Sequence, residues 1–308
     1  MKMIIRKIKN KLKHILDIFL APICYKSVTK KINANFLNDN EVINEITQNG
    51  KSLSRFGDGE LKWMFGIKQN SFQDYDENLK NSLLNAFFCK DTNLLIALPK
   101  GIKDVSEYTD DAKKMWRYFT FVNRKNIIKL MSMSTKCNYS NTNITRPYID
   151  YRDKNCAYER FQNIKKIWQN RDVIIIEGEK TRISVGNDLM ENAKSIKRVI
   201  APSKNAYRKI DEIYNFVIEN CDKNDLILLA LGPTATVLSY KLCIKGFQSV
   251  DIGHIDVEYE WFNMGVTKKV PIKSKYVNEA RGIGDLSDEK LNGKVFKEYQ
   301  MQIIKEIL

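Results

Sequence analysis

One short acidic segment of the chain has the composition of a metal and diphosphate site. It reads Arg-Phe-Gly-Asp-Gly-Glu from Arg55 to Glu60, with one residue between Asp58 and Glu60. In an extended chain, residues two apart project from the same face, so both carboxylates would point together. Two carboxylates suit Mg²⁺ or Mn²⁺, which often take their other ligands from substrate phosphates. Arg55 and Gly57 would then contact the diphosphate, although an Asp-Gly hairpin turn explains the same letters.

A second candidate segment carries two cations and follows an apolar run. Val173 to Glu177 is dominated by β-branched residues and ends at Gly178, and Lys180 and Arg182 follow directly. Ligands of open α/β sheets bind beyond the carboxyl ends of strands, where phosphates also meet helix N-termini. Lys180 and Arg182 are therefore candidate diphosphate ligands. An ordinary surface loop with two basic residues is the alternative.

A third segment repeats this arrangement further along the chain. The apolar run from Leu226 to Leu231 is followed by Gly232, Pro233 and Thr234. Proline at the start of a helix and a threonine that can cap free amides would form a cradle for a phosphate or a ribose. Gly232 and Thr234 are the candidate contacts, and helix capping alone would explain the same residues.

A fourth segment places one of only two histidines among acids. His254 follows the predicted strand 249–252 and precedes Asp256 and Glu258. A lone histidine is more often structural than catalytic, but the other motifs are expected at the same edge of the sheet. We therefore expect His254 to act as a third metal ligand or as a proton-transfer group. Asp256 and Glu258 are candidate bases for an acceptor hydroxyl, by position only.

The elements that must position these residues alternate along the chain. Apolar periodicity predicts strands and helices in turn, which indicates crossover units and a parallel sheet. We expect an α/β, Rossmann-like fold with a mostly parallel sheet and helices on both faces, in one catalytic domain. The predicted strands are 52–56, 93–98, 173–177, 198–201, 226–231 and 249–252. The predicted helices are 36–49, 76–88, 105–131, 158–169, 187–193, 206–219 and 234–245.

The net charge is concentrated at the amino terminus. The 308 residues carry a formal charge of +14, and residues 1–31 hold nine basic side chains and one acid, which accounts for +8 of it. Apolar residues recur there at spacings of three and four, which predicts an amphipathic helix that Pro22 ends. This helix would lie in the interface of an anionic membrane or pack on the domain's own core. A nucleic-acid partner is not expected, because interleaved aromatics and known binding motifs are missing.

Composition excludes several classes of protein. Hydrophobic residues make up 43% of the chain, which excludes a disordered or fibrous protein. The six cysteines are scattered without zinc-site spacing, which favours reduced thiols in the cytoplasm. No apolar run approaches the roughly 18 to 20 residues of a membrane span.

Taken in order, the four segments resemble the bacterial glycosyltransferases of the GT-D type, whose hallmark is an Asp-x-Glu motif. The resemblance extends from about residue 36 to residue 276. The matching blocks are Ser54–Glu60, Gly178–Arg182, Ala230–Thr236 and Asp251–Asp256. Each block alone is weak, but four blocks in the family's order are specific. Ser184 departs from the pattern, since a glycine often stands there.

The charge distribution and the resemblance together predict a division into a basic segment, 1–35, and a glycosyltransferase domain, 36–308. The resemblance implies metal-dependent transfer of a hexose, glucose or galactose, from a UDP-sugar to a glycan in bacterial surface polysaccharide or glycoprotein assembly. Asp58 and Glu60 match the family's metal and diphosphate motif. The acceptor would be linked to lipid or protein, and the enzyme would be cytoplasmic, held at the inner face of the plasma membrane by residues 1–31. The alternatives are a non-enzymatic membrane- or nucleic-acid-binding protein and another nucleotide-dependent transferase.

Overall fold

The structure of the protein is a computed structural model. It describes residues 2–69, 73–272, 275 and 293–308. Its strands are β1 (Asn35–Phe36), β2 (Ser52–Arg55), β3 (Leu94–Leu98), β4 (Asn138–Asn141), β5 (Asp172–Gly178), β6 (Ser195–Ala201), β7 (Leu226–Ala230), β8 (Ser249–Asp251) and β9 (Ile303–Glu306). Its helices are α1 (Lys2–Thr29), α2 (Asp39–Thr47), α3 (Asp58–Met64), α4 (Glu77–Phe87), α5 (Asp110–Val122), α6 (Arg124–Met133), α7 (Ala157–Lys165), α8 (Ile210–Asn220), α9 (Pro233–Ile244), α10 (Ile255–Asn263) and α11 (Gly293–Gln302).

The described strands form one sheet, in the order β1-β4-β3-β2-β8-β7-β5-β6-β9. Every neighbouring pair is parallel. Parallel neighbours need crossover connections, and the carboxyl ends of all such strands meet at one edge of the sheet. The predicted α/β fold, with a parallel sheet and one domain, is confirmed.

Both faces of the sheet are buried, as the sequence of β5 shows. Ile174 and Ile176 belong to the apolar core on one face, whereas Val173 and Ile175 belong to the core on the other. Successive side chains of a strand point to opposite faces, so an uninterrupted apolar run fits a strand that is covered on both sides. This burial is why the central strands were predictable from local sequence.

The helices predicted at 36–49 and 105–131 differ from the observed ones in their bounds. The helix predicted at 36–49 begins at Asp39, because Asn38 caps it and exchanges hydrogen bonds with Glu41. Residues 35 and 36 instead form the edge strand β1. The single helix predicted at 105–131 is two helices, α5 and α6, which meet at Asn123.

The helix predicted at 187–193 is wrong, since these residues form turns. The Asn187 side chain accepts a hydrogen bond from the Leu189 N–H, and the Ser184 hydroxyl accepts one from the Met190 N–H. Such local bonds offer the backbone an alternative to the helical ladder. The Asn187 amide also donates to Asp256 and Glu260, which ties this segment to α10.

The amino-terminal helix is longer than predicted, because α1 continues through Pro22 to Thr29. Its carboxyl-terminal half packs on the domain: Ala21, Tyr25 and Val28 are buried, and the Tyr25 hydroxyl donates to the Gly101 carbonyl. This packing offsets the hydrogen bond that proline removes from a helix. Among the described residues, no helix is long and apolar enough to cross a membrane.

Candidate active site

A cavity of about 340 Å³ opens at the carboxyl edge of the central strands. It lies where β2, β8, β7 and β5 stand side by side in the sheet. The chain runs outward from β2 to β3 and β4 and, on the other side, outward from β5 to β6. Ligands of open α/β sheets bind where connections diverge in this way. Seven predicted site residues line it: Arg55, Gly57, Asp58, Glu60, Gly232, His254 and Asp256.

The Asp-x-Glu pair lies on a helix, and the extended arrangement predicted for it is wrong. Gly57 is the N-cap of α3, and Asp58 and Glu60 lie in its first turn. The Gly57 N–H donates to Glu60 Oε2 at 2.8 Å, and Asp58 Oδ2 lies 2.6 Å from Lys62 Nζ. Acidic side chains are favoured in the first turn, where the helix dipole is positive. Both carboxylates nevertheless reach the same cavity.

Burial governs the protonation of Glu60. Its pKa is raised from 4.5 to about 7, chiefly by desolvation and also by the nearby carboxylates of Asp251 and Asp58, while a backbone hydrogen bond and Arg55 oppose the shift. Burial penalises the charged form of a carboxyl group, and neighbouring negative charge adds to that penalty. Close to neutral pH, a positive ligand beside Glu60 would therefore favour its ionisation.

The raised pKa of Glu60 predicts a pH-dependent stability difference from Glu60→Gln. Between about pH 4.5 and 7, the unfolded chain ionises Glu60 while the folded chain keeps it protonated, so the wild type loses stability as pH rises. The variant has no such group. Urea unfolding should show the variant gaining stability relative to the wild type across this window, and levelling off above it. A difference that stays constant with pH would contradict the assignment.

Arg55 is held in the cavity wall by a buried ion pair with Asp251. Arg55 Nη1 lies 3.3 Å from Asp251 Oδ1, and Arg55 Nε donates to the Thr142 carbonyl at 3.2 Å. The Thr236 hydroxyl donates to the Arg55 carbonyl at 2.7 Å. Burial raises the pKa of Asp251, and the adjacent guanidinium opposes that shift. Asp251 ends β8 and was not predicted as a site residue. Its position at the carboxyl end of a buried strand is the feature of the sequence that could have indicated it.

Gly253 brings the backbone against this arginine. It has a φ of +47°, and a Cβ there would lie 1.9 Å from Arg55 Nη1. Its N–H donates to Asp251 Oδ1 at 3.0 Å. Only glycine fits both the left-handed backbone and this close approach. The glycine therefore sets how deeply the guanidinium sits.

The structure separates the three predicted residues of the His254 segment. His254 is the N-cap residue of α10 and lines the cavity. Asp256 also lines it, but its carboxylate binds Lys275 Nζ at 2.8 Å and accepts from the Ser184 N–H at 2.9 Å. Glu258 is fully buried and accepts hydrogen bonds from two backbone N–H groups, of Tyr148 and Ile149. It is not among the residues that line the cavity.

The two predicted cations of the 178–182 loop do not line the cavity. Lys180 is exposed and Arg182 is buried, and both have positive φ. Thr181, between them, lines the cavity instead. The loop rests on a buried ion pair between Glu177 and Arg198, whose guanidinium also donates to the Ile183 carbonyl. Sequence spacing could not show which of three successive side chains turns inward.

The structure places only part of the Gly232 segment at the cavity. Gly232 has a φ of +56° and lines the cavity at the start of α9, with Pro233 at the first helical position. Thr234 is fully buried and not among the lining residues, and its hydroxyl has no hydrogen-bond partner within the described part of the chain. Thr236, one turn further, bonds to the Arg55 carbonyl.

One wall of the cavity is formed by side chains that lie outside the four segments. It comes from the segment after β4 and from α5, and it includes Asn143, Arg146, Met115 and Trp116. Asn143 is buried, and its Nδ2 has no hydrogen-bond partner within the described ranges. An aromatic ring, an arginine and an amide together suit a polar ligand with apolar faces, such as a sugar.

The donor set of the cavity fits a shared metal ion. Over the described residues, no three His, Cys, Asp or Glu side chains are grouped so that they could hold a metal. Asp58, Glu60 and His254 thus do not form a preformed three-ligand site. Mg²⁺ often binds through one or two carboxylates together with substrate phosphates. Asp58 and Glu60 fit a cation that is completed by a bound diphosphate.

Comparisons with known proteins identify the family of the chain. Residues 53–280 match the family model described as glycosyltransferase GT-D fold. The chain is 39% identical over 265 residues to Glycosyltransferase GlyD of Streptococcus pneumoniae and 38% identical over 245 residues to a probable glycosyl transferase Gly of Streptococcus gordonii. These matches cover 83% and 79% of the chain, but only 31% and 35% of those longer relatives.

Solved structures show the same likeness across most of the chain. One is a domain of unknown function 1792 described as having a distinct glycosyltransferase fold, with a TM-score of 0.83 and 36% identity, over 94% of this chain and 100% of that one. Another, a new glycosyltransferase from Streptococcus sanguinis, has a TM-score of 0.80 and 35% identity, over 89% of this chain and 100% of that one. The chain belongs to the family of glycosyltransferases with the GT-D fold.

Proposed function

We propose that the chain transfers a hexose, glucose or galactose, from a UDP-sugar to a glycan acceptor, with Mn²⁺ or Mg²⁺ as cofactor. The observation that carries the proposal is the pair of carboxylates, Asp58 and Glu60, at one cavity with the buried cation Arg55. Two carboxylates can hold a divalent cation whose other ligands are the phosphates of a nucleotide diphosphate, and Arg55 can pair with the same phosphates. Family membership supports the reaction class.

Charge on the leaving group would be stabilised by groups that are already fixed in place. Negative charge grows on the diphosphate as the bond to the sugar breaks, and fixed positive charge stabilises that state most. Arg55 is held by Asp251 and by the Thr142 carbonyl, so it needs no reorganisation during the reaction. A metal ion at Asp58 and Glu60 would supply further positive charge to the diphosphate.

The remaining predicted residues take different parts in the proposal. His254 lines the cavity beside α10, and we assign it proton transfer at the acceptor hydroxyl. Asp256 and Glu258 are committed to internal partners, so in this proposal they position loops and do not act as bases. The wall with Trp116 and Asn143 would receive the acceptor, a glycan linked to lipid or protein in bacterial surface polysaccharide or glycoprotein assembly.

A nucleotide screen with and without Mn²⁺ tests reaction class and cofactor together. We expect UDP, UDP-glucose or UDP-galactose to raise the melting temperature only when Mn²⁺ or Mg²⁺ is present. A ligand at 100 times its Kd adds about 2.7 kcal/mol to the free energy of unfolding. ADP and GDP with the same metal are the matched controls. Stabilisation by another nucleotide in place of UDP, or by UDP equally without metal, would refute the proposal.

A further inference from the structure

Over residues 11–29, helix α1 carries two apolar faces, and within the described part of the chain only one of them is buried. Ala21, Tyr25 and Val28 are at most 6% exposed, and they lie on the face toward the domain. Their spacings of four and three place them on one side of the helix. This packing holds α1 on the domain, but other apolar side chains of the helix remain exposed.

The second face, which we call the exposed stripe, consists of Leu12, Ile15, Leu16, Phe19 and Ile23. These side chains are 62%, 43%, 56%, 68% and 75% exposed. Successive helical residues are 100° apart, so positions two apart point in nearly opposite directions. Phe19 and Ile23 therefore face away from Ala21, which packs on the domain.

Single exposed apolar residues are ordinary, but five in one stripe are not. Larger contiguous apolar patches on a surface usually mark an interaction site. The fold does not require this stripe, because the opposite face holds the helix in place. A partner that covers the stripe would remove this apolar surface from water.

The charges around the stripe indicate what covers it. Lys11 and Lys13 are exposed at its amino-terminal end, and Lys26 and Lys30 are exposed near the other end of the helix. Residues 1–31 carry a net +8, with a single acid, Asp17. An apolar helical face with flanking lysines matches an anionic lipid surface, where the apolar side chains enter the interface and the lysines meet headgroups.

We propose that the exposed stripe of α1 binds the interface of an anionic lipid membrane and holds the cavity close to that surface. Helix α1 packs along α5, and His14 Nδ1 lies 2.7 Å from the Tyr118 hydroxyl. Helix α5 also supplies Met115 and Trp116 to the cavity wall. Helix α5 therefore contacts the proposed anchor, α1, and also forms part of the wall proposed for the acceptor. This arrangement suits an acceptor that is itself attached to the membrane.

Vesicle flotation of the full chain tests this proposal. We expect binding to vesicles of phosphatidylglycerol and phosphatidylcholine, and little binding to phosphatidylcholine alone. The triple variant Leu16→Ser, Phe19→Ser and Ile23→Ser should bind at least about tenfold more weakly, since it removes apolar burial. Lys11→Gln with Lys13→Gln should weaken binding by about fivefold for each lysine. Both changes are on exposed residues, so folding should be retained.

A matched control removes three exposed apolar side chains elsewhere. Ile244, Met264 and Met301 are 51%, 52% and 76% exposed, and their replacement by serine should leave vesicle binding unchanged. UDP binding should be equal in wild type and in the stripe variant, which separates this proposal from the proposed reaction. Equal binding to neutral and anionic vesicles would overturn it. So would a stripe variant that binds vesicles like the wild type, or one that only dissociates a dimer.

Discussion

Glu60→Gln is expected to lower the rate of hexose transfer by about 10²- to 10³-fold at about pH 8, where the native carboxylate is ionised. The substitution keeps the size of the side chain and an oxygen that can accept from the Gly57 N–H, so α3 should remain capped. It removes one of two negative charges that would hold the cation at the diphosphate. Binding of UDP should therefore lose its dependence on Mn²⁺.

Two further variants distinguish the role of Glu60 from general damage to the cavity. Asp58→Asn removes the other carboxylate of the first turn and should reproduce the loss of metal-dependent UDP binding. His254 lines the same cavity but is proposed to move a proton. The variant His254→Gln should therefore slow turnover and leave Mn²⁺-dependent UDP binding near wild type. Calorimetric titration of UDP with and without Mn²⁺ provides the comparison. Wild-type metal dependence in both carboxylate variants would refute the assignment of the Asp-x-Glu pair.

Gly253→Ala is expected to abolish most activity through Arg55, although it changes no charged group. The added Cβ would lie 1.9 Å from Arg55 Nη1, so the guanidinium must move out of its pairing with Asp251. Displacement of a positioned group by about 1 Å can cost about 10²-fold in rate. Alanine at a φ of +47° adds about 1 to 2 kcal/mol of backbone strain.

Gly265→Ala is the matched control for this prediction. Gly265 also has a positive φ, +62°, but among the described residues other than its chain neighbours a Cβ there would meet no atom within 4 Å. The Gly265→Ala variant should therefore lose about as much stability from backbone strain as Gly253→Ala does, and it should keep the wild-type transfer rate. Chemical denaturation and steady-state kinetics of the two variants separate strain from displacement of Arg55. If both variants lose activity equally, Arg55 is not the group through which Gly253 acts.

Local sequence was sufficient for the elements whose pattern reflects burial. The run from Val173 to Ile176 identifies a strand covered on both faces, because such a strand needs apolar side chains in both directions. Short or polar strands gave no such signal. Strands β1, β4 and β9 were not predicted, since β1 has two residues and β4 reads Asn-Tyr-Ser-Asn.

The residue types of the site were also readable from the sequence, because parallel strands bring their carboxyl ends to one edge. Arg55, Asp58, Glu60, Gly232 and His254 were predicted from segments that end or follow predicted strands, and all of them line one cavity. That agreement depends only on strand topology, which the alternation of elements already implies.

Only the tertiary structure decided which neighbouring side chains enter the cavity and in what state. Thr181 turns inward while Lys180 and Arg182 do not, because the backbone of this loop takes positive φ values that spacing cannot reveal. Glu60 acquires a pKa near neutrality through burial close to Asp251, a residue distant in the chain. Desolvation and charge coupling act through space, and a sequence gives distances only along the chain.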